Sequence, residues 1–253
     1  MATSGTLRAE ERKASILAVL ATDGAVQLED AAARLGVSSM TVRRDLDDLE
    51  AEGLLKRVRG GAVSATGARP FNERRAVRAS AKQAIAEKAM RLVPDSGAIA
   101  IDASTTAGTI GSRLKERRSL TVATNSFENF ASMRRIPGVT PVLVGGEAEE
   151  STDSFVGLIA CQAAASMLYE RLFMSATALD STHGTSEVSL PESQVKRAFA
   201  TVARETVLCV DSSKLGQRSV ALGFPLSEIG VMITELHPSD SRLDEYRELV
   251  ELL

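Results

Sequence analysis

From residue 71 onward, six short runs of apolar and β-branched residues recur, separated by helix-length stretches. They are GAIAID (97–102), LTVAT (120–124), TPVLVGG (140–146), RLFMSA (171–176), TVLCVD (206–211) and IGVMIT (229–234). Runs of this length between helical segments read as βαβ units, in which strands lie parallel and helices cover the sheet. The pattern predicts an α/β domain over residues 71–253. Loops leaving the carboxyl ends of its strands are where such sheets bind ligands.

The segment ahead of this pattern reads differently. Ile16, Leu17 and Leu20 share one face of a first helix that starts near Leu7. Asp23-Gly24 marks a turn. Leu28, Ala31, Ala32 and Leu35 follow at the i, i+3, i+4, i+7 spacing of a second helix. Gly36 stands where a left-handed residue ends a helix, and Ser38 or Ser39 can cap the next one. The three-residue connection is that of a helix-turn-helix, placed at 26–45 within a small domain over 8–63. SATGARP (64–70) is small and polar and reads as a linker.

Composition narrows the function classes. The 253-residue chain carries a formal net charge of −3, so any nucleic-acid contact must be local. No apolar stretch reaches membrane-spanning length, and the first residues lack a signal-peptide core, so a cytoplasmic location is expected. Cys161, Cys209, His183 and His237 are the only cysteines and histidines, and they lie far apart. No metal site is expected from them, and both cysteines read as buried fillers. With no Trp and two Tyr, stacking platforms for single strands are not expected.

In the third helix Val42, Leu46 and Leu49 form the core stripe, while Met40, Arg43, Arg44 and Asp47 lie on another face. Ser38, Ser39 and Thr41 sit near its amino end. Free backbone N–H groups and two guanidinium forks there suit phosphates and guanine edges in a major groove. On charge alone, Arg43–Asp47 and Arg44–Asp48 read equally as surface ion pairs. Residues 1–63 hold nine Lys/Arg against ten Asp/Glu, so composition does not separate the two.

In the second domain, IDASTTAGTIGSRL (101–114) ends a strand at Asp102 and opens a helix through Ser104, Thr105 and Thr106. Hydroxyls and N–H groups at such a turn can hold a phosphate, although Ser/Thr there is commonly only a cap. Asn125, the Gly145-Gly146 pair, Asp211 and Lys214 follow other strands. Each also has a bland reading as tight turn, cap or solvated charge. Together they suit a phosphorylated polyol, with Asp102 on sugar hydroxyls and Lys214 as the compensating cation.

The run VQLEDAAARLGVSSMTVRRDLDDLEAEGLLKRVRGGAV (26–63) resembles the winged helix-turn-helix domain of the DeoR family of bacterial transcription regulators. Val37-Ser38, Thr41-Val42-Arg43-Arg44-Asp45-Leu46, Gly53, Leu54, Arg57 and Gly60-Gly61-Ala62 match its pattern in order. Arg59 replaces the more usual His before the Gly pair. The resemblance implies a β-hairpin wing in which Arg57 and Arg59 touch DNA. The rest of the chain is similar to the family's sugar-phosphate-sensing domain, whose Rossmann-like α/β fold is related to ribose-5-phosphate isomerase. Phe71, Arg74, Lys82, Ile85-Ala86, the Asp102 loop, Thr124-Asn125, Gly145-Gly146, Gly157, Gly184, Lys196-Arg197 and the Asp211–Lys214 run carry that similarity. Ser104 stands for the usual Gly, and the Gly usual near Ala176 is missing, which leaves the particular effector open.

The resemblance implies a non-enzymatic repressor of a carbohydrate-catabolic operon. It implies a homodimer or homotetramer that binds double-stranded operator DNA and is released by a sugar phosphate, with no cofactor. Two alternatives stay open: an activator, and a sugar-phosphate isomerase fused to a DNA-binding module with Asp102, Asp211 and Lys214 as acid–base groups.

Overall fold

The computed structural model describes residues 4–23, 25–52, 54–58, 60–64, 71–115, 117–149 and 152–253. The chain divides into two compact units, Met1–Arg69 and Pro70–Leu253. Most of the expected linker, 65–70, lies outside the described residues, while Ser64 belongs to a strand.

The first unit runs α1 (Ser4–Asp23), β1 (Ala25–Gln27), α2 (Leu28–Leu35), α3 (Ser39–Ala51), β2 (Leu55–Val58) and β3 (Gly61–Ser64). Gly36 closes α2 in the left-handed region at φ 64°, and its N–H donates to the Ala32 carbonyl. Ser38 caps α3, accepting from the Thr41 N–H at 3.2 Å. The core gathers Ile16 and Leu20 of α1 with Leu28, Ala31 and Ala32 of α2, the Val42–Leu46–Leu49 stripe, and Leu55 and Ala62 of the hairpin.

Antiparallel β2 and β3 form the wing, and β1 pairs on the far side of β3 to make a three-stranded sheet. Gly61 is required there by space, because a Cβ at that position would run into the Val26 carbonyl of β1. An ion pair ties the helices: Arg12 of α1 forks onto both carboxylate oxygens of Asp45 in α3, with Nη2 to Oδ1 at 2.8 Å. Asp45 is buried, which makes this a positioning contact and not a surface pair.

The second unit begins α4 (Phe71–Ala76), α5 (Ala79–Ala89), β4 (Ser96–Ile101), α6 (Thr105–Gly111), β5 (Ser119–Thr124), α7 (Phe127–Met133) and β6 (Val139–Leu143). A hairpin of β7 (Glu147–Glu149) and β8 (Ser154–Val156) precedes α8 (Gly157–Ala164) and β9 (Arg171–Met174). Then follow β10 (Ala178–Asp180), β11 (Gly184–Glu187), α9 (Leu190–Ala200), β12 (Thr206–Cys209), β13 (Ala221–Leu222), β14 (Val231–Ile233) and β15 (Glu251–Leu252).

All six expected runs enter one parallel sheet, in the order β15-β14-β12-β9-β4-β5-β6. Alternate residues point to opposite faces, so Ile99, Ile101, Val122, Phe173 and Val207 pack with α5 and α6. Ala100, Ala123, Leu172, Met174 and Leu208 pack with α8 and α9 on the other face. The small antiparallel sheet β10-β11-β13 and the edge strand β15 are additions that the hydrophobic runs do not announce.

Strand order decides where a site can form. From β4 the chain moves outward through β5 to β6, and it then returns to the other side of β4 with β9 and continues outward through β12 and β14. The reversal lies between β4 and β9, the place where open parallel sheets have a crevice at their carboxyl edge.

The crowding at Gly61 makes a direct prediction. Gly61→Ala should destabilise the first unit by about 1–3 kcal/mol, as overpacking does. Thermal or urea unfolding of the full chain measures it, and a neutral result would mean that the β1–β3 contact opens freely.

Candidate functional site

The exposed face of α3 is the first candidate surface. Met40 is 57% exposed, Arg43 and Arg44 are exposed, and Thr41 is half-buried beside the cap. Neither expected i, i+4 pair forms. Asp47 faces the Arg57 Nε at 3.5 Å, and Asp48 faces the Lys13 Nζ at 3.0 Å. Among the described residues Arg43 and Arg44 have no ion-pair partner, so two guanidinium groups stand open to solvent at the start of the helix. Ser39 is engaged, donating to Glu29 at 2.7 Å, and the Ser38 hydroxyl lies 2.9 Å from that of Thr41. On the wing, the Arg57 N–H donates to Glu50 at 2.6 Å while its guanidinium turns to Asp47, with Nη1 buried and lacking an acceptor. Arg59 and Gly53 lie outside the described residues.

The second candidate surface is the carboxyl edge of the large sheet. Asp102, just past β4, is fully buried, and both its oxygens are engaged. Oδ1 accepts from the Ser104 N–H at 3.0 Å and from its hydroxyl at 2.5 Å. Oδ2 accepts from the Ser175 N–H at 3.0 Å, across the β4/β9 reversal, and meets the Lys196 Nζ at 3.1 Å. Asp102 therefore holds the two loops together. Its expected place on sugar hydroxyls is taken by main chain and ammonium. Ser104 also caps α6, accepting from the Ala107 N–H at 3.1 Å, and Thr105 and Thr106 are buried in the turn.

Asp102 takes its cation from Lys196 of α9. Its ammonium lies 2.6 Å from Glu187 and donates to the Ser175 carbonyl at 2.8 Å besides meeting Asp102. Burial alone would lower its pKa, but Glu187, Asp102 and Glu192 outweigh that and hold it above the ordinary lysine value. Glu187 in turn accepts from Thr177 through both N–H and hydroxyl. Glu192 is buried and accepts from Ser154 at 2.6 Å, and desolvation pushes its carboxyl above the usual range.

The other expected residues spread along the same edge. The Asn125 side chain donates to the Phe155 carbonyl at 3.0 Å, but its buried Oδ1 has no donor among the described residues. Gly146 is set by space, since a Cβ would run into the Val156 carbonyl, whereas Gly145 has open room. Asp211 accepts from Ser213 and is paired with the Arg78 Nε at 2.8 Å, while Lys214 is half-buried without an ion-pair partner among the described residues. The strand-end loops do collect at one edge. The cations that pair into them are the buried Lys196, the half-buried Arg74 and the exposed Arg78. Lys196 and Arg74 stand among the positions of the family resemblance, but nothing in their spacing marks them for this pairing.

The ion cluster carries a stability prediction. Lys196→Met should cost about 3–5 kcal/mol, because it leaves Asp102 and Glu187 as buried carboxylates without their cation. Urea denaturation at neutral pH tests it, and a loss below about 1 kcal/mol would show that water reaches the cluster freely.

Comparison with known proteins converges on one family. The DeoR-like helix-turn-helix domain matches residues 12–68, and the DeoR C terminal sensor domain matches residues 77–236. The regulator YgbI of Escherichia coli, described as an uncharacterized HTH-type transcriptional regulator, is 34% identical over 89% of either chain. The lactose phosphotransferase system repressor of Lactococcus lactis is 31% identical over 96% of this chain and 98% of its own. Among solved structures, ribose 5 phosphate isomerase A from Neisseria gonorrhoeae superimposes with a TM-score of 0.37 at 16% identity, covering 53% of this chain and 52% of its own. The helix-turn-helix, its wing and the α/β sensor unit are the parts of a DNA-binding regulator, and this chain belongs to the DeoR family of transcriptional regulators.

Proposed function

We propose that the protein represses a carbohydrate-catabolic operon and is released from its operator by a phosphorylated sugar. Arg43 and Arg44 at the start of α3, exposed and without an ion-pair partner among the described residues, carry the DNA half of this reading. Two guanidinium forks side by side match the paired acceptors of guanine in a major groove. Ser38, Ser39, Met40 and Thr41 lie beside them as further groove contacts. Arg57 and Arg59 of the wing take backbone phosphates, with phosphate replacing Asp47 at Arg57. The named relative that represses a lactose phosphotransferase system supports the assignment to sugar metabolism.

The effector half rests on the carboxyl edge of the large sheet. Thr105, Thr106, Asn125, Gly145 and Lys214 surround the β4/β9 reversal, with Ser104, Asp102, Gly146 and Asp211 shaping the loops beneath. The orphaned Asn125 Oδ1 wants a donor, which a sugar hydroxyl supplies. An enzymatic role is disfavoured by the state of the carboxylates. Asp102 is committed to Lys196 and Asp211 to Arg78, so neither is free to shuttle a proton. A homodimer or homotetramer working in the cytoplasm completes the reading. No helix among the described residues is long and apolar enough to cross a membrane.

The DNA half is tested by Arg43→Ala and Arg44→Ala. Each should lose about 1–3 kcal/mol of operator affinity with little change in stability, because both side chains lie off the Val42–Leu46–Leu49 stripe. Undiminished gel shifts from the double variant would sink the assignment. The effector half is tested by Thr106→Ala combined with Lys214→Ala, which should bind operator normally but no longer release it. Release of a hundredfold requires about 2.7 kcal/mol of coupling, well within what calorimetry and anisotropy resolve. If an unphosphorylated sugar binds the wild type as tightly as its phosphate ester, the phosphate reading of these loops is wrong.

A further inference from the structure

The segment between the linker and α5 lies across the same carboxyl edge and is tied down on both sides. On one side, the Arg74 guanidinium of α4 donates to the Thr152 carbonyl at 2.5 Å, and the Phe71 N–H reaches Asp153 at 3.4 Å. The Arg74 carbonyl accepts from the Lys82 ammonium and, at 3.5 Å, from the hydroxyl of Thr105 in the turn that opens α6. On the other side, Arg78 spans the loops after β12 and β14. Its guanidinium meets Asp211 at 2.8 Å, Glu235 at 2.7 Å and the Ser212 hydroxyl at 2.9 Å.

Two features mark these ties as more than packing. Arg74 is a half-buried cation whose pKa is lowered by desolvation against the pull of Glu192, Asp153, Asp102 and Glu128, so its charge is held at a cost by the groups around it. Arg78 occupies the left-handed region at φ 52°, which an arginine keeps only when its surroundings impose it. The loops gripped by Arg74 and Arg78 include residues 105 and 211–212, which the effector reading also uses. In the other direction along the chain, this segment continues through 65–70 into the DNA-binding unit.

We propose that residues 71–78 are a coupling strap, through which occupancy of the strand-end loops is communicated to the DNA-binding unit. The inference rests on the effector reading above. A phosphorylated sugar entering the loops competes with the Arg74 carbonyl for the Thr105 hydroxyl. Its phosphate also competes with Asp211 and Glu235 for Arg78. Either exchange alters the strap's ties without touching the DNA-binding residues. A ligand shifts an equilibrium only by its differential contacts with the two arrangements, and these ties supply that difference.

The test measures operator affinity of the full chain by fluorescence anisotropy, using a duplex selected from random sequence. Affinity is read with and without a saturating phosphorylated sugar, chosen by calorimetry from a panel of pentose, hexose and polyol phosphates. Wild type should show a ratio of about tenfold or more between the two conditions, within the usual range of allosteric coupling. Arg74→Met removes one tie, and Arg78→Asn removes the other while keeping a residue that tolerates the left-handed backbone. Both variants should still bind operator. Arg74→Met should keep its affinity for sugar phosphate, while Arg78→Asn, which also loses the cation offered to the phosphate, binds it more weakly. Read at saturation for each variant, the ratio should fall below about threefold. Hydrogen–deuterium exchange of 71–78 in wild type should change when the sugar phosphate binds.

A ratio kept in both variants overturns the strap and leaves the effector site standing. Calorimetric binding in wild type without any change in operator affinity does the same. Should a variant fail to fold, the wild-type exchange decides, and protection of 71–78 that ignores the bound sugar phosphate overturns the proposal. If no phosphorylated sugar in the panel binds wild type, the effector reading itself falls and the strap falls with it.

Discussion

A parallel sheet must be covered on both faces, and the architecture of the larger unit follows from that requirement. Ile99 and Ala100 are adjacent in sequence, yet they enter different cores, one under α5 and α6 and the other under α8 and α9. Because each strand is followed by a crossing back to the starting edge, every carboxyl end emerges on the same side. The polar loops have no other place to collect. The strand order reverses between β4 and β9, the place where open parallel sheets bind their ligands, and the Asp102 loop leaves the sheet there.

Electrostatics decide what the residues there can do. Buried carboxylates are tolerable only with partners, and those along this edge have them: Asp102 and Glu187 share Lys196, Asp211 takes Arg78, and Glu192 accepts from the Ser154 hydroxyl. Such pairing makes Asp102 a structural clasp between the β4 and β9 loops. What the pairing leaves open at this edge are hydroxyls, the half-buried Lys214 and an amide oxygen of Asn125 that has no partner among the described residues.

The smaller unit solves a related problem with fewer residues. A helix that reads DNA must keep its polar face outward and still be held rigidly. The Val42–Leu46–Leu49 stripe anchors it from below, and the buried Asp45, gripped by Arg12, fixes it against α1. Asp47 and Asp48 are drawn sideways to Arg57 and Lys13, which leaves Arg43 and Arg44 unneutralised. A segment with nearly balanced charge can thereby present a locally cationic surface. Composition averages over the very geometry that matters.

The sequence by itself determined the elements and their order. Hydrophobic period and turn chemistry are local properties, and they placed α2 at Leu28–Leu35, the Gly36 turn, a cap at Ser38 or Ser39, which the structure resolves as Ser38, and all six runs of the parallel sheet. They also identified which loops follow strands, so most of the strand-end residues were legible before any fold existed. Tertiary structure alone decided the pairing of charges. Lys196 reaches Asp102 and Arg78 reaches Asp211 across separations of about a hundred residues, and a side chain's sequence neighbours hold no record of that. The small sheet β10-β11-β13 escaped for a similar reason. Its strands are short and partly polar, and while β10 and β11 form a local hairpin, β13 joins them from far along the chain, with no period of its own to announce it.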